Sequence, residues 1–283
     1  MDMGENDKLD IEWNWRIDLN SRRRNYGFFG VVVAVFFGVM CSASSFASDS
    51  LPATIERIKP GIVVVGTFQR TRSPRGLFLG TGFAIGDGSL VVTNAHVVAK
   101  QLDEGHLESL AVFIRRGGKD QMVQARQVAT DPEHDLAILK LSGNARLPPM
   151  RLGDSSKVKE GELYAFTGYP IGMVLGLFPV THRGIVSAIT PMAIPVIQSR
   201  QLNTKMLKRL RNPYDVFQLD ATAYPGNSGS PLYDPESGEV VGIINKVFVK
   251  ESKEQVLSQP SGITYAIPVV YLRQLMGKVK GER

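Results

Sequence analysis

The chain has 283 residues, with 28 glycines, 16 prolines, one cysteine and a net charge of +6. Its apolar fraction of 43% is typical of a globular protein rich in turns, and its length suits one large all-β unit or two small domains. The single cysteine, Cys41, lies in the N-terminal segment, so the folded part offers no disulfide, thiol nucleophile or cysteine-based zinc site. The basic residues are scattered without a recognition motif, and we expect no nucleic-acid partner.

Residues 1–47 have the order of an export segment. Three consecutive arginines ending at Arg24 precede fifteen mostly apolar residues, and small residues follow up to Ala47. This order is typical of a secretory signal peptide, with cleavage expected after Ala47. Residues 26–47 are also just long enough to span a membrane as an uncleaved anchor, so both alternatives stay open. In either case the arginines favour the cytoplasmic side, which predicts a folded part in the periplasm or cell envelope.

Short apolar runs alternate with glycine, aspartate, proline and asparagine clusters from residue 62 onward. Their spacing of roughly 8 to 12 residues is typical of a β-sandwich or β-barrel. The predicted strands are 62–68, 81–85, 90–94, 110–115, 123–129, 136–141, 163–167, 184–190, 216–220, 240–247 and 263–267.

A polar stretch, 152–161, divides these runs into two series. We therefore expect two β units of similar size, 48–160 and 161–283, that meet near residue 160. After Pro268 the apolar residues recur at helical spacing, which predicts a short C-terminal helix over 269–280 with the proline in its first turn.

The stretch 218–233 places Ser228 in a tight loop. Gly226 and Gly229 lie on its two sides, with prolines just outside them. Glycines allow backbone conformations closed to other residues and close approach of a substrate, while prolines restrict the turn. A plain turn between two strands is the alternative. A serine hydroxyl becomes a good nucleophile only when an oriented base takes its proton, so the hypothesis requires a histidine and a carboxylate.

His96 and Asp135 are the candidate partners of Ser228. His96 ends an apolar strand and begins a helical turn, so its imidazole would be fixed at the edge of a β unit. Asp135 opens the apolar run 136–141, where it would either cap the preceding turn or orient His96 and stabilise its protonated form. The remaining histidines lie in polar or loop-like surroundings and are expected to be solvated surface side chains: His106, His134 and His182.

Three motifs in the order His, Asp, Ser carry a family resemblance. Thr-Asn-Ala-His-Val-Val over 93–98, Asp-Leu-Ala-Ile-Leu-Lys over 135–140 and Gly-Asn-Ser-Gly-Ser-Pro over 226–231 resemble the chymotrypsin-like serine proteases. More narrowly, they are similar to the HtrA (Deg) branch of bacterial envelope proteases, over about residues 51–276. The Gly-x-Ser-x-Gly elbow of α/β-hydrolases is excluded, because Ser230 stands where its second glycine is needed.

The resemblance implies an all-β fold of two antiparallel six-stranded β-barrels, with the active-site cleft between them. Ser228 would attack a peptide carbonyl, His96 would take and return its proton, and Asp135 would hold His96 in the correct tautomer. The backbone N–H groups of Gly226 and Ser228 would form the oxyanion hole. The implied function is endopeptidase cleavage of unfolded or misfolded envelope proteins, with polypeptide substrates and without a cofactor or metal. The alternative is a catalytically silent binding or chaperone module on the same scaffold.

The resemblance also predicts a substrate pocket. Thr222 takes the position that is charged in relatives cutting after lysine or arginine. A neutral threonine, with Ile243 and Ile244 on the facing wall, predicts a preference for an uncharged, small or medium aliphatic side chain. Lys246, also expected at this pocket, departs from the usual family residue.

The resemblance leaves three further features of the chain open. Most members of the branch carry PDZ domains after the protease, and none is expected here because the sequence ends soon after the predicted helix. Assembly into a homo-trimer through the N-terminal segment stays open. The long connection 191–215, rich in lysine and arginine, is predicted to be either a gating or partner-binding loop or a solvated basic face.

Overall fold

The residues that the computed structural model describes are 51–170, 176–192, 213–245 and 262–281. The predicted export segment and most of the long basic connection therefore lie outside the described residues. In the described ranges, no helix has the length and apolar character needed to cross a membrane. The division of the chain after residues 47 and 160 stays a prediction.

The first six strands form one closed antiparallel barrel. They are β1 (Ile62–Phe68), β2 (Gly76–Ile85), β3 (Leu90–Asn94), β4 (Ser109–Arg116), β5 (Lys119–Asp131) and β6 (Leu136–Leu141). Their order around the barrel is β1-β2-β3-β6-β5-β4. Successive side chains of a strand point to opposite faces, so Val63 and Val65 pack in one apolar cluster while Ile62 and Val64 pack in another. Burial on both faces explains why β1 and β6 are almost continuous apolar runs.

The second six strands form another closed antiparallel barrel. They are β7 (Leu163–Gly168), β8 (Val180–Pro191), β9 (Asp215–Asp220), β10 (Pro231–Tyr233), β11 (Val240–Asn245) and β12 (Ile263–Pro268). Their order is β10-β11-β12-β9-β8-β7. Phe83 and Val92 of the first barrel share one buried cluster with Tyr233 and Ile243 of the second. This apolar contact therefore holds the two barrels against each other at the place where the candidate site residues lie.

In the described residues, three α-helices accompany the barrels: α1 (Leu51–Ile58), α2 (Ala95–Val98) and α3 (Val269–Gly281). The N-terminal helix α1 is tied to the second barrel, because the Thr54 hydroxyl donates a 2.9 Å hydrogen bond to the Glu236 carbonyl. The C-terminal helix α3 buries Val269, Leu272 and Leu275, the residues that recur at helical spacing in the sequence. The predicted C-terminal helix is confirmed.

The predicted all-β fold of two six-stranded barrels is confirmed, with differences at strand ends. One strand, β10, was not predicted, because it has only three residues, begins with proline and lies inside a turn-rich stretch. Strand β5 begins four residues before its predicted start, because its first residues are polar and exposed and so give no apolar signal. Pro268 ends β12, paired with Gly242, so the prediction that it lies in the first turn of the helix is wrong.

A partly buried ion pair holds the connection between β1 and β2. Arg72 Nη1 in that connection lies 2.6 Å from Glu108 Oε1, and the Thr67 hydroxyl donates to the same oxygen at 2.5 Å. The Asp103 N–H donates to Glu108 Oε2 at 3.1 Å. Hydrogen bonds from Thr67, Asp103 and Arg72 outweigh the opposing effect of burial and lower the pKa of Glu108 to about 2. Glu108 therefore remains a carboxylate although it is only 7% exposed.

Candidate active site

His96 and Asp135 are brought together by the pairing of β3 with β6. The two strands are antiparallel, and Asn94 at the end of β3 faces Leu136 at the start of β6. The residue after one strand and the residue before the other therefore lie at the same end of the barrel. Val97 is buried below the helical turn and anchors the backbone that carries His96.

The Asp135 carboxylate holds His96 through both its backbone and its ring. Asp135 Oδ1 accepts from the His96 N–H at 2.8 Å, and Asp135 Oδ2 lies 2.6 Å from His96 Nδ1. Since an ionised carboxylate can only accept, the proton of a neutral imidazole lies on Nδ1 and the lone pair on Nε2. This is the tautomer that a general base needs.

Asp135 itself has an unusual backbone conformation, with φ of +54°. Left-handed backbone is uncommon for residues other than glycine and must be held by its surroundings. Two hydrogen bonds hold the Asp135 carbonyl: the Ala95 N–H donates at 3.0 Å and Asn94 Nδ2 donates at 3.1 Å. The segment before His96 and the turn at Asp135 therefore fix each other.

Asn245, the last residue of β11, contributes to the site from the second barrel. Its Nδ2 donates a 2.7 Å hydrogen bond to Asp135 Oδ2, and the residue is fully buried. Asn245 was not among the predicted site residues. The signal that could have found it is the one that selected His96 and Asp135, namely a polar residue at the end of a buried apolar run.

The loop that carries Ser228 is attached to β2 of the first barrel. The Thr81 N–H donates to the Ser228 carbonyl at 2.8 Å, and the Thr81 hydroxyl donates to the Gly226 carbonyl at 2.7 Å. Gly80 lies at the same contact: a Cβ atom there would lie 2.9 Å from the Ser228 carbonyl oxygen and 2.8 Å from the Val97 side chain. Ser228 therefore lies beside the turn that carries His96.

The N–H groups of this loop fall into two sets. Those of Asn227, Gly229 and Ser230 donate to backbone carbonyls at 2.9 to 3.0 Å. Those of Gly226 and Ser228 donate no hydrogen bond within the described part of the chain. Gly226 has φ of +102° and Gly229 has φ of +88°, conformations that side chains other than hydrogen rarely adopt. The loop thus leaves the two N–H groups predicted for the oxyanion hole available for a ligand oxygen.

The structure places the three predicted catalytic residues at one seam but joins only two of them directly. His96 is bonded to Asp135, while no hydrogen bond links the Ser228 hydroxyl to the His96 ring among the described residues. Ser228 is 7% exposed and the His96 side chain is 32% exposed, so the imidazole borders solvent. Hydrogen bonds of catalytic groups are often long before substrate binds and shorten in the complex.

The predicted pocket residues are only partly brought together. Ile244 packs in the same cluster as Ala221 and Ala223, which flank Thr222, whereas Ile243 packs in the cluster between the barrels. Neighbouring residues of a strand point to opposite faces, so the prediction that both isoleucines form one wall is wrong. Lys246 lies outside the described residues.

Thr264 holds the backbone on both sides of Thr222. Its hydroxyl donates to the Ala221 carbonyl at 2.6 Å and accepts from the Ala223 N–H at 3.0 Å. The two hydrogen bonds fix both peptide groups around the half-buried Thr222. Thr264 was not predicted, because nothing in a strand of mixed polarity indicates which hydroxyl faces a loop.

The other three histidines do not all lie in solvent. His106 is exposed as predicted, with its ring 2.8 Å from Asp103. His182 stacks on Phe166 with ring centroids 4.9 Å apart, its Nε2 is buried, and burial lowers its pKa. His134 lies between aromatic rings, with only 16% of its side chain exposed. The prediction of a solvated side chain is therefore wrong for His134 and His182. Across the described ranges, no group of three or more histidine, cysteine, aspartate or glutamate residues could hold a metal ion.

Comparison with known proteins agrees with the class that this fold and site define, a two-barrel peptidase domain. The model of the trypsin-like peptidase domain family matches residues 80–243. The chain belongs to the trypsin-like peptidase family, and its relatives within that family are the HtrA and DegP serine proteases.

Three of these matches describe the relationship. The probable periplasmic serine endoprotease DegP-like of Pseudomonas putida is 36% identical over 211 residues, covering 71% of this chain and 36% of that protein. Human serine protease HTRA4 is 28% identical over 284 residues, covering 98% of this chain and 48% of that protein. The solved structure of the HtrA-type protease AlgW with a tripeptide matches with a TM-score of 0.57 and 27% identity, covering 81% of this chain and 63% of that one. The chain thus spans about a third to a half of the length of these curated relatives.

Proposed function

We propose that the protein is a serine endopeptidase that works through His96, Asp135 and Ser228 and a covalent acyl-enzyme intermediate. Ser228 Oγ attacks the peptide carbonyl carbon while His96 Nε2 takes its proton. His96 then gives that proton to the leaving amine, and a water molecule repeats the sequence to release the acyl group. The observation that carries the proposal is the Asp135 carboxylate bonded to both the backbone and the ring of His96, beside the loop that carries Ser228.

Asp135 supplies orientation and charge in this proposal. Its two contacts with His96 fix the ring plane, and its negative charge stabilises the imidazolium that forms during proton transfer. The hydrogen bond from Asn245 keeps the Asp135 carboxylate from turning away, because it holds the same oxygen that contacts the ring.

The N–H groups of Gly226 and Ser228 supply the oxyanion hole. They donate no hydrogen bond within the described part of the chain, while the N–H groups between and beside them are bonded. Donors that are fixed before the reaction stabilise the negative charge of the tetrahedral intermediate without reorganisation. The glycine conformations and the two hydrogen bonds from Thr81 provide that fixation.

We propose that the substrates are unfolded or misfolded polypeptides of the cell envelope. The DegP-like relative is named as periplasmic, and the predicted export segment favours the same compartment for this chain. The neutral Thr222 at the predicted pocket favours an uncharged, small or medium aliphatic residue before the cleaved bond. Membrane anchoring through residues 26–47 and assembly into a trimer remain predictions from the sequence.

The test is hydrolysis of unfolded casein by the purified full chain beside its Ser228→Ala variant, together with labelling by a fluorophosphonate. The proposal expects cleavage and labelling of the wild type and neither in the variant, since only an activated Ser228 reacts. A folded, monodisperse wild type that neither cleaves nor labels would favour the alternative, a silent binding or chaperone module.

A further inference from the structure

His134 lies in an aromatic site formed by the second half of the chain. Its ring stacks on that of Tyr271 in α3, with centroids 4.1 Å apart and planes 15° apart. Tyr214, which directly precedes β9, meets the same ring edge-on at 4.6 Å, and the two tyrosines are 5.4 Å apart. Such aromatic pairs stabilise beyond the area they bury and fix ring orientation. His134 is therefore held by two tyrosines that lie outside its own barrel. We call the contacts of its ring with Tyr214 and Tyr271 the aromatic clamp on His134.

The His134 ring is also held by Asp131, at the end of β5. Asp131 Oδ2 lies 2.7 Å from His134 Nδ1, while Asp131 Oδ1 accepts from the backbone N–H groups of Glu133 and His134 at 3.0 and 3.3 Å. Burial acts to raise the pKa of Asp131, but the hydrogen bonds from His134 and Glu133 outweigh it, so that pKa lies below its ordinary value. Asp131 thus closes the β5–β6 turn around His134 as a carboxylate.

His134 is the residue directly before Asp135, whose φ is +54°. A non-glycine residue leaves this conformation readily unless its neighbours hold it. The carbonyl of Asp135 is held by hydrogen bonds from Ala95 and Asn94. The preceding residue, His134, is held by its ring contacts, so the backbone is fixed on both sides of the Asp135 Cα atom. The clamp is therefore positioned to control where the Asp135 carboxylate points.

We propose that His134 is a positioning residue that sets the conformation of Asp135, by locking the turn between β5 and β6 to Tyr214 and Tyr271. This inference rests on the proposed role of Asp135 in orienting His96. It adds a second cross-connection to the one made by Asn245, and it makes the alignment of the acid dependent on the packing of α3.

The test compares His134→Ala, which removes the whole clamp, with His134→Phe, which keeps ring stacking and loses the Asp131 bond. His106→Ala is the matched control, because His106 makes the same i, i+3 ring contact with an aspartate at 2.8 Å but is exposed. The readouts are kcat, KM and the strongly deshielded proton NMR signal of the His96 Nδ1–H group.

The proposal expects His134→Ala to lower kcat about tenfold at unchanged KM, because Asp135 then spends most of its time outside the bonded conformation. The deshielded signal should weaken in parallel, His134→Phe should lie between wild type and alanine, and His106→Ala should match the wild type. A folded His134→Ala protein with wild-type kcat and a wild-type NMR signal would overturn the proposal.

Tyr271→Leu breaks the clamp from the side of α3 and leaves the Asp131 turn unchanged. It should lower kcat and the NMR signal in the same direction by a smaller factor, and wild-type values would overturn the link to α3. If His134→Ala fails to fold, His134→Phe and Tyr271→Leu carry the test. Absence of hydrolysis by the wild type would remove the proposed function, whereas the NMR comparison would still decide the role of His134.

Discussion

His96 and Asp135, from the first barrel, meet through side-chain hydrogen bonds, whereas the loop around Ser228, from the second barrel, is shaped by its backbone. In the first half of the site, one carboxylate makes both contacts with His96. In the second half, glycines at positive φ and backbone hydrogen bonds direct the N–H groups. The two halves should therefore fail in different ways: the first when a functional group is exchanged, the second when a single methyl group is added.

The largest effect should come from exchanging the functional group that the first half depends on. Asp135→Asn should lower kcat by about 10,000-fold near neutral pH, because an amide nitrogen facing Nδ1 favours the wrong tautomer of His96. The measurement is steady-state hydrolysis together with the rate of fluorophosphonate labelling. Asp120→Asn, which alters an exposed ion pair of the same barrel, should have no effect. A loss below tenfold in Asp135→Asn would argue that Asp135 does not orient the base.

Adding a methyl group to the loop that carries Ser228 should have the next largest effect. Gly229→Ala should lower kcat about 100- to 1000-fold through displacement of an oxyanion donor. Its Cβ would lie 2.1 Å from the Thr81 carbonyl oxygen and 2.6 Å from the Thr93 hydroxyl, so the loop must move. Gly143→Ala is the control, since Gly143 also has positive φ, +64°, but has nothing within 4 Å of the added atom.

Gly143→Ala should therefore cost roughly 1 kcal/mol of stability through backbone strain and leave kcat unchanged. Activity assays and urea unfolding of Gly229→Ala and Gly143→Ala distinguish the effect of backbone strain, which both variants share, from that of the close contact, which only Gly229→Ala makes. Equal activities in the two variants would show that the close contact with Thr81 and Thr93 does not control the oxyanion donors.

Asn245 connects the two halves, and its loss should have an intermediate effect. Asn245→Ala should lower kcat about tenfold, since a hydrogen bond to a carboxylate is worth roughly 1.5 to 3 kcal/mol and Asp135 keeps its contacts with His96. KM should change little. Asn144→Ala, at an exposed turn, serves as the control. An unchanged kcat in Asn245→Ala would mean that the first barrel aligns Asp135 without help from the second.

The smallest effect on activity is expected far from the seam, at Glu108. Its pKa of about 2 lies below the ordinary value of a glutamate, so it stabilises the fold above pH 4.5 and this contribution is lost as pH falls towards 2. Glu108→Gln should lower the free energy of unfolding by about 2 kcal/mol at pH 7, and the difference from the wild type should shrink on acidification.

Urea unfolding at pH 7, 4 and 2.5 measures this difference, with the exposed Glu236→Gln as control. At pH 7 the kcat of folded Glu108→Gln should equal that of the wild type. A stability difference that stays constant with pH would contradict the assigned protonation state of Glu108.

Local sequence patterns predicted the parts of this site that depend on residues close together in the chain. His96 and Asp135 were found because each polar residue ends or begins a buried apolar run, and the Ser228 loop was found from its glycines and prolines. Asn245 also ends a buried apolar run, but its partner Asp135 lies 110 residues away in the sequence. Nothing in the sequence around β11 indicates that this partner exists. His134 was mispredicted because its sequence neighbours are acidic, while the rings that bury it come from Tyr214 and Tyr271.

Gly80 lies at the contact between β2 and the loop that carries Ser228. A Cβ atom added at Gly80 would lie 2.9 Å from the Ser228 carbonyl oxygen and 2.8 Å from the Val97 side chain, so there is no room for a methyl group. The absence of a side chain at Gly80 therefore allows the Ser228 loop to lie close to the turn that carries His96. Any residue larger than glycine at this position would act as a wedge, moving Ser228 away from His96 without altering either of them.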